Sequence, residues 1–301
     1  MLYEDGIHLN CGRNALAYLI EARRIRAIAL PVFNCDSVTN LCKKYGVNMR
    51  FYSITEEFLP EDIRLEPGEW LYLVNPYGQL RAEQLTALAD RFGRVIVDNA
   101  QAYFAPPLPG MDTLYTCRKF FGVPDGAILY TDARLEREIP TDVSHDRMRF
   151  LLGRTERPAS EFYPEYVENN RRFQAEEIKF MSPLTELLLH NLDYEAIKKK
   201  RTENFSRLHE RLSGRNQLHL RVPEGAFAYP LMLKEAEEWK KALIQARIYI
   251  PTLWPNVLRE AAADSFDLRM ARDVLPIPCD QRYSADDMDF ICEKLEALSG
   301  R

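Results

Sequence analysis

The chain has 301 residues, 46% hydrophobic and 28% charged, which is ordinary globular composition at a length that can bury a sizeable core. A net charge of −5 lacks the basic footprint of a nucleic-acid-binding protein, and no apolar run approaches the roughly 20 residues of a membrane helix. The N-terminal MLYEDGIHLN has neither a basic nor an apolar segment, so no secretory signal is expected.

The six cysteines are scattered without a C-x-x-C pair and read as reduced thiols of a cytoplasmic protein, with no metal site expected. In chain order, Asn14–Arg24 has helical periodicity, Ala27–Leu30 is a short apolar strand, residues 36–46 are helical and Met49–Ile54 is a strand. Trp70–Val74 and Val95–Val97 are compact apolar runs separated by a helix over Ala82–Phe92. Such runs fit buried strands of a parallel sheet, and the alternation implies an α/β domain with a mostly parallel sheet covered by helices on both faces.

Residues 183–213 form a long helical stretch that bends or links two parts. Its basic run, Lys198–Arg201, reads as a solvated helix face, the alternative being a binding patch. Beyond it, strands are expected at His219–Val222, Phe227–Leu233 and Ile248–Ile250, and helices at Glu235–Ala246 and after the capping box at Ser284-Ala285-Asp286-Asp287. The expected organisation is a large domain over residues 1–200 and a smaller C-terminal α+β domain over 201–301.

Ligands of open α/β sheets bind at the carboxyl ends of strands, which directs attention to Asn75-Pro76-Tyr77-Gly78 and to Asp98-Asn99-Ala100-Gln101. A carboxylate at the end of an apolar strand loses hydration at a cost of several kcal/mol unless a cation or good donors compensate. Asp98 is therefore either a helix cap, one half of a salt bridge, or the partner of a protonated ring nitrogen. Lys119 sits between Arg118 and the pair Phe120-Phe121, a setting in which a lysine amine serves as a nucleophile, although surface lysines are the rule. Gly12 opens the first helix, where exposed N–H groups suit a phosphate; Thr116 offers a hydroxyl, and Arg118 is either a surface residue or a further phosphate ligand.

Taken in order, these features resemble the DegT/DnrJ/StrS family of sugar aminotransferases, which depend on pyridoxal phosphate (PLP) and share the aspartate aminotransferase fold. Cys11-Gly12-Arg13-Asn14-Ala15-Leu16 is similar to the family's Ser-Gly-Thr-Ala-Ala-Leu, and Asn75-Pro76-Tyr77-Gly78 to its histidine- and glycine-containing turn. Val97-Asp98-Asn99-Ala100-Gln101-Ala102 looks like its Glu-Asp-x-x-Gln-Ala, Lys119 through Asp125-Gly126-Ala127 like its lysine segment, and Val274-Leu275-Pro276-Ile277-Pro278 like its Leu-Pro turn before the last helix.

The resemblance implies that Lys119 forms an imine with PLP, Asp98 pairs with the pyridine nitrogen and Gln101 contacts the phenolic oxygen. It also implies that Gly12, Arg13 and Asn14 bind the phosphate through backbone N–H groups, with Thr116 as a further ligand. Cys35 stands where the family places an aromatic ring against the cofactor, with Phe33 close by as the candidate substitute. No counterpart of the family's N-terminal arm is expected, its serine five residues before the lysine is replaced by Leu114, and its Asn-x-Arg is replaced by Ile178-Lys179-Phe180.

The implied activity moves an amino group from an amino acid such as glutamate to a carbonyl substrate such as a nucleotide-linked keto sugar, in a homodimer. Elimination or lyase chemistry on the same scaffold and a non-catalytic relative are the alternatives. Sugar dehydratases of the family carry histidine in place of the lysine, so Lys119 points away from that branch.

Overall fold

The computed structural model describes residues 1–299, and its first half alternates strands with helices. In chain order these are β1 (Ile7–Leu9), α1 (Gly12–Ala22), β2 (Ala27–Pro31), α2 (Asp36–Lys44), β3 (Asn48–Tyr52), β4 (Trp70–Val74), α3 (Ala82–Phe92), β5 (Val95–Asp98), β6 (Asp112–Thr116) and β7 (Ala127–Tyr130). They form one seven-stranded sheet in the order β1-β7-β6-β5-β4-β2-β3, flanked by helices. Strands β3, β2, β4, β5 and β6 run parallel, and β7 pairs antiparallel with both β6 and β1.

All four residues of β5 and most of β4 are buried, as the compact apolar runs require of central strands. The α/β architecture is the expected one. Strands β1, β6 and β7 carry weaker patterns than the runs that were read from sequence, and none of the three was expected.

The second half contains α4 (Arg149–Gly153), α5 (Tyr163–Ala175), α6 (Pro183–His190), α7 (Tyr194–Leu212), β8 (Tyr229–Met232), α8 (Ala236–Gln245), α9 (Val257–Glu260), α10 (Phe266–Asp273), β9 (Val274–Ile277) and α11 (Ala285–Ser299). Strands β8 and β9 pair antiparallel, and α7, α8 and α11 pack around them over a core that includes Phe205, Leu243 and Leu275. The long helical stretch is two helices: the Ser182 side chain caps α6 and Asp193 caps α7, each satisfying an N–H that helix geometry leaves orphaned.

Four local expectations need correction. Strands do not form at His219–Val222 or Ile248–Ile250. Arg221 instead bonds from its backbone and its guanidinium to the turn at residues 78–80, and the N–H of Ile248 closes the end of α8 on the Leu243 carbonyl. The Val274–Pro278 segment, expected as a turn, contains β9, with Pro276 opposite Pro230 in a two-stranded ladder that tolerates missing N–H donors.

The last correction concerns the basic run. Lys199 is solvated, but Arg201 is among the most deeply buried side chains, only 2% exposed. It bonds to the carbonyls of Ala226 and Phe120 and to Gln281, and burial pushes its pKa down to about 10. Gln281 also donates to the Phe120 carbonyl, so the residue after Lys119 is held from both α7 and the loop before α11. The capping box at Ser284 forms as expected, with Ser284 and Asp287 bonding each other's backbone N–H.

Candidate functional site

Parallel strands bring their carboxyl ends to one edge of the sheet. At that edge a cavity of about 630 Å³ is lined by Tyr72 and Val74 of β4, Asp98 at the end of β5, Leu114 and Thr116 of β6, and the start of α1. Tyr72 and Val74 are two residues apart and so share a face of their strand. Chemistry therefore converges here from segments separated by more than a hundred residues.

Asp98 is buried, and its carboxylate accepts the Ala100 N–H at 2.8 Å and the Tyr72 hydroxyl at 2.7 Å. It has no ion-pair partner among the described residues. Burial, and then the charge of Asp98, push the Tyr72 hydroxyl well above its ordinary pKa, so this tyrosine stays a donor. Gln101 is held by the Tyr77 N–H, which donates to its Oε1 at 2.9 Å; among the described residues Nε2 has no hydrogen-bond partner. Tyr77 adopts a left-handed φ of 54°, and the Asn75 side chain ties the turn to Asn99 and Leu80.

The amino end of α1 opens on the same cavity. The first-turn N–H groups of Gly12, Arg13 and Asn14 have no intrahelical partner. A methyl group on Gly12 would sit 2.7 Å from Thr116 Oγ1, so the glycine is what lets the hydroxyl lie against the helix end. Arg118 stands beside them over the Phe173 ring and donates to the Asn170 side chain, whose backbone carbonyl takes Arg13 at 3.2 Å. Burial lowers the Arg118 pKa, and no carboxylate pairs with it among the described residues, which is the setting of a cation that receives an anionic ligand.

Gly12→Ala should accordingly weaken the affinity for inorganic phosphate by about tenfold or more, since overpacking costs about 1–3 kcal/mol and falls on this contact. Calorimetric titration of the purified protein measures it. Equal affinity in wild type and variant would show that phosphate does not use this helix end.

Lys119 is exposed, makes no hydrogen bond or ion pair among the described residues, and holds Nζ 5.9 Å from the Phe227 ring centroid. Arg154, Asp280 and Arg282 complete the charged lining, with Arg282 paired to Asp280.

Of the residues expected at a site, Gly12, Arg13, Asp98, Gln101, Thr116 and Lys119 line this one cavity. Two do not. The Asn14 side chain turns inward to Asn10 and the Glu177 carbonyl, which leaves only its backbone N–H at the helix end. Phe33 is buried edge-on against Trp254, at 4.5 Å between ring centroids, and Trp254 rather than Phe33 lines the cavity.

Neither Tyr72 nor Asn170 is among the site residues read from the sequence. Residue parity along β4 carried a signal for Tyr72, whereas nothing local marks Asn170. No cluster of metal-binding side chains occurs among the described residues, and no described helix is long and apolar enough to cross a membrane.

No protein-family model and no curated protein matches the chain. Solved structures do. A sugar aminotransferase, CalS13 from Micromonospora echinospora, superposes with a TM-score of 0.68 at 17% identity, covering 97% of this chain and 86% of that one. A DegT DnrJ EryC1 StrS aminotransferase from Brucella abortus gives 0.66 at 16% identity, covering 98% and 86%. The E. coli GDP-4-keto-6-deoxy-D-mannose-3-dehydratase with bound hydrated PLP gives 0.64 at 13% identity, covering 96% and 87%. Likenesses at such identity show a shared fold over nearly the whole chain, not a shared activity.

Proposed function

We propose that this protein is a PLP-dependent aminotransferase whose cofactor is attached to Lys119. The carrying observation is the meeting of Lys119 and an ion-unpaired Asp98 in one cavity that also receives the open end of α1. The residues fit the group: the first-turn N–H groups, the Thr116 hydroxyl and Arg118 would hold its phosphate, Asp98 its ring nitrogen, and Gln101 Nε2 its phenolic oxygen. When bound, PLP supplies an electron sink for negative charge developing at a substrate carbon.

The chain's own residues do the rest. Asp98, fixed by Tyr72 and Ala100, supplies the charge that retains a proton on a ring nitrogen. Lys119 Nζ, held by no hydrogen bond or ion pair among the described residues, would be placed to take a proton from the substrate carbon once the donor's own amine has displaced it from the group it carries. The substrates proposed are an amino acid donor such as glutamate and a carbonyl acceptor of the nucleotide-linked keto sugar kind. The acting form proposed is a cytoplasmic homodimer, with the exposed Tyr163, Tyr166 and Val167 of α5 as part of its contact surface. The division expected at residues 200/201 falls inside α7, which we propose as the connector between the two parts.

The purified protein should absorb at about 420 nm and bleach with borohydride, and glutamate should shift that band and release 2-oxoglutarate. A colourless protein that takes up no added PLP sinks the cofactor reading. A coloured protein whose spectrum ignores every amino donor sinks the aminotransferase reading and favours elimination chemistry.

A further inference from the structure

The cavity carries more positive charge than the proposed cofactor explains. Arg13, Arg118, Lys119, Arg154 and Arg282 line it against only two carboxylates, Asp98 and Asp280, in a chain whose net charge is −5. Arg13 and Arg118 converge on Asn170 beside the start of α1 and face the inner anion site. Arg282 is neutralised by Asp280 in a two-pronged pair at 2.7 and 2.8 Å. Lys119 is assigned to imine formation.

Arg154 is left over. It caps the end of α4 with its backbone N–H on the Leu152 carbonyl and is half-buried, and its side chain makes no hydrogen bond, ion pair or ring contact among the described residues. Its guanidinium lies over the turn that follows Lys119, with Nη2 at 3.7 Å from where a side chain on Gly122 would begin. Burial, and then the adjacent Arg282, pull its pKa below the usual arginine range, and Asp280, itself paired with Arg282, offsets only part of this. Tyr166 and Tyr283, which also line the cavity, flank this end of it.

A half-buried arginine without a partner forgoes several charge-assisted bonds, and its planar fork matches carboxylate and phosphate oxygens. We propose that Arg154, backed by Arg282, is the docking point for an anionic group, carboxylate or phosphate, carried by the substrate. The inference deepens the aminotransferase reading and rests on it for the word substrate. The site itself is defined by the side chains alone. Such a fixed anchor at the far end of the cavity selects among carbonyl and amino compounds by the charge they carry away from the reacting carbon.

The test is a calorimetric titration of holoenzyme reduced with borohydride, so that Lys119 and the inner anion site are both filled. Glutarate probes for a carboxylate and pyrophosphate for a phosphate. Wild-type protein should bind at least one of them, and Arg154→Met should weaken that binding by about ten- to hundredfold. Arg154→Lys should recover part of the loss, and Arg134→Met, on the opposite edge of the sheet, should change nothing. Selective loss of glutarate assigns the carboxylate of an amino donor or keto acid, and loss of pyrophosphate assigns a phosphate-bearing acceptor.

Because the Arg154 side chain makes no internal bond among the described residues, the variant should melt with wild type, which separates lost binding from lost fold. Arg154→Met binding both probes as wild type does, or wild type binding neither, overturns the proposal. If no PLP is taken up, the same titration is run on the unreduced protein. Arg154-dependent binding there upholds the anion site while the cofactor reading fails.

Discussion

Lys119→Ala should purify colourless and release no 2-oxoglutarate from glutamate, with turnover down by at least about a thousandfold. The Lys119 amine borders the cavity with no hydrogen bond or ion pair among the described residues, close only to the Phe227 ring. A lysine with no structural work contributes little to folding, so the variant should match wild type in a urea titration within about 0.5 kcal/mol. That contrast is the informative result: chemistry lost with stability intact. Lys119→Ala protein that still binds PLP in a borohydride-sensitive form would move the attachment point to another lysine.

The second large effect is expected at Asp98. Asp98→Asn keeps the side-chain shape, yet it removes the charge that would face a ring nitrogen, and breaking a buried charge pairing costs about 3–5 kcal/mol. At about 1.4 kcal/mol per factor of ten, the amino-transfer rate should fall by roughly a hundred- to four-thousandfold. Without cofactor the sign reverses. Asp98 is a buried carboxylate served by two donors and no cation, so neutralising it should leave the melting temperature of the cofactor-free protein unchanged or raised. If Asp98 were only a cap, the same substitution would lower the melting temperature and spare the spectrum. Measuring both quantities on one preparation distinguishes the two roles.

These two residues also show how much of the protein could be read before it was folded. Trp70–Val74 and Ala82–Phe92 were read with the bounds they adopt, and Val95–Val97 needed only Asp98 added, because a strand or helix buried against a sheet writes its period into its own residues. Asp98 and Lys119 were visible for a related reason: a carboxylate at the end of an apolar run and a lysine among aromatics are local anomalies. The errors came where local pattern and long-range pairing disagree. His219–Val222 has strand-like residues, but its polar groups are taken by the turn after β4. Arg201 belongs to a basic run, yet three acceptors from distant segments draw it into the core.

Sequence alone determined the α/β class, the strands β4 and β5 and the helix α1 that reach the site, and six of the residues that border it. Tertiary structure decided which of those residues share a cavity and which, like Asn14 and Phe33, turn away from it. It also supplied Tyr72 as the donor to Asp98, Asn170 as the tie between Arg13 and Arg118, and Arg154 as an arginine whose side chain has no partner among the described residues. The physical reason is that periodicity reports burial one element at a time. A site at the carboxyl edge of a parallel sheet is assembled by crossovers between elements, and the partners they bring together leave no mark in each other's neighbourhood of the chain.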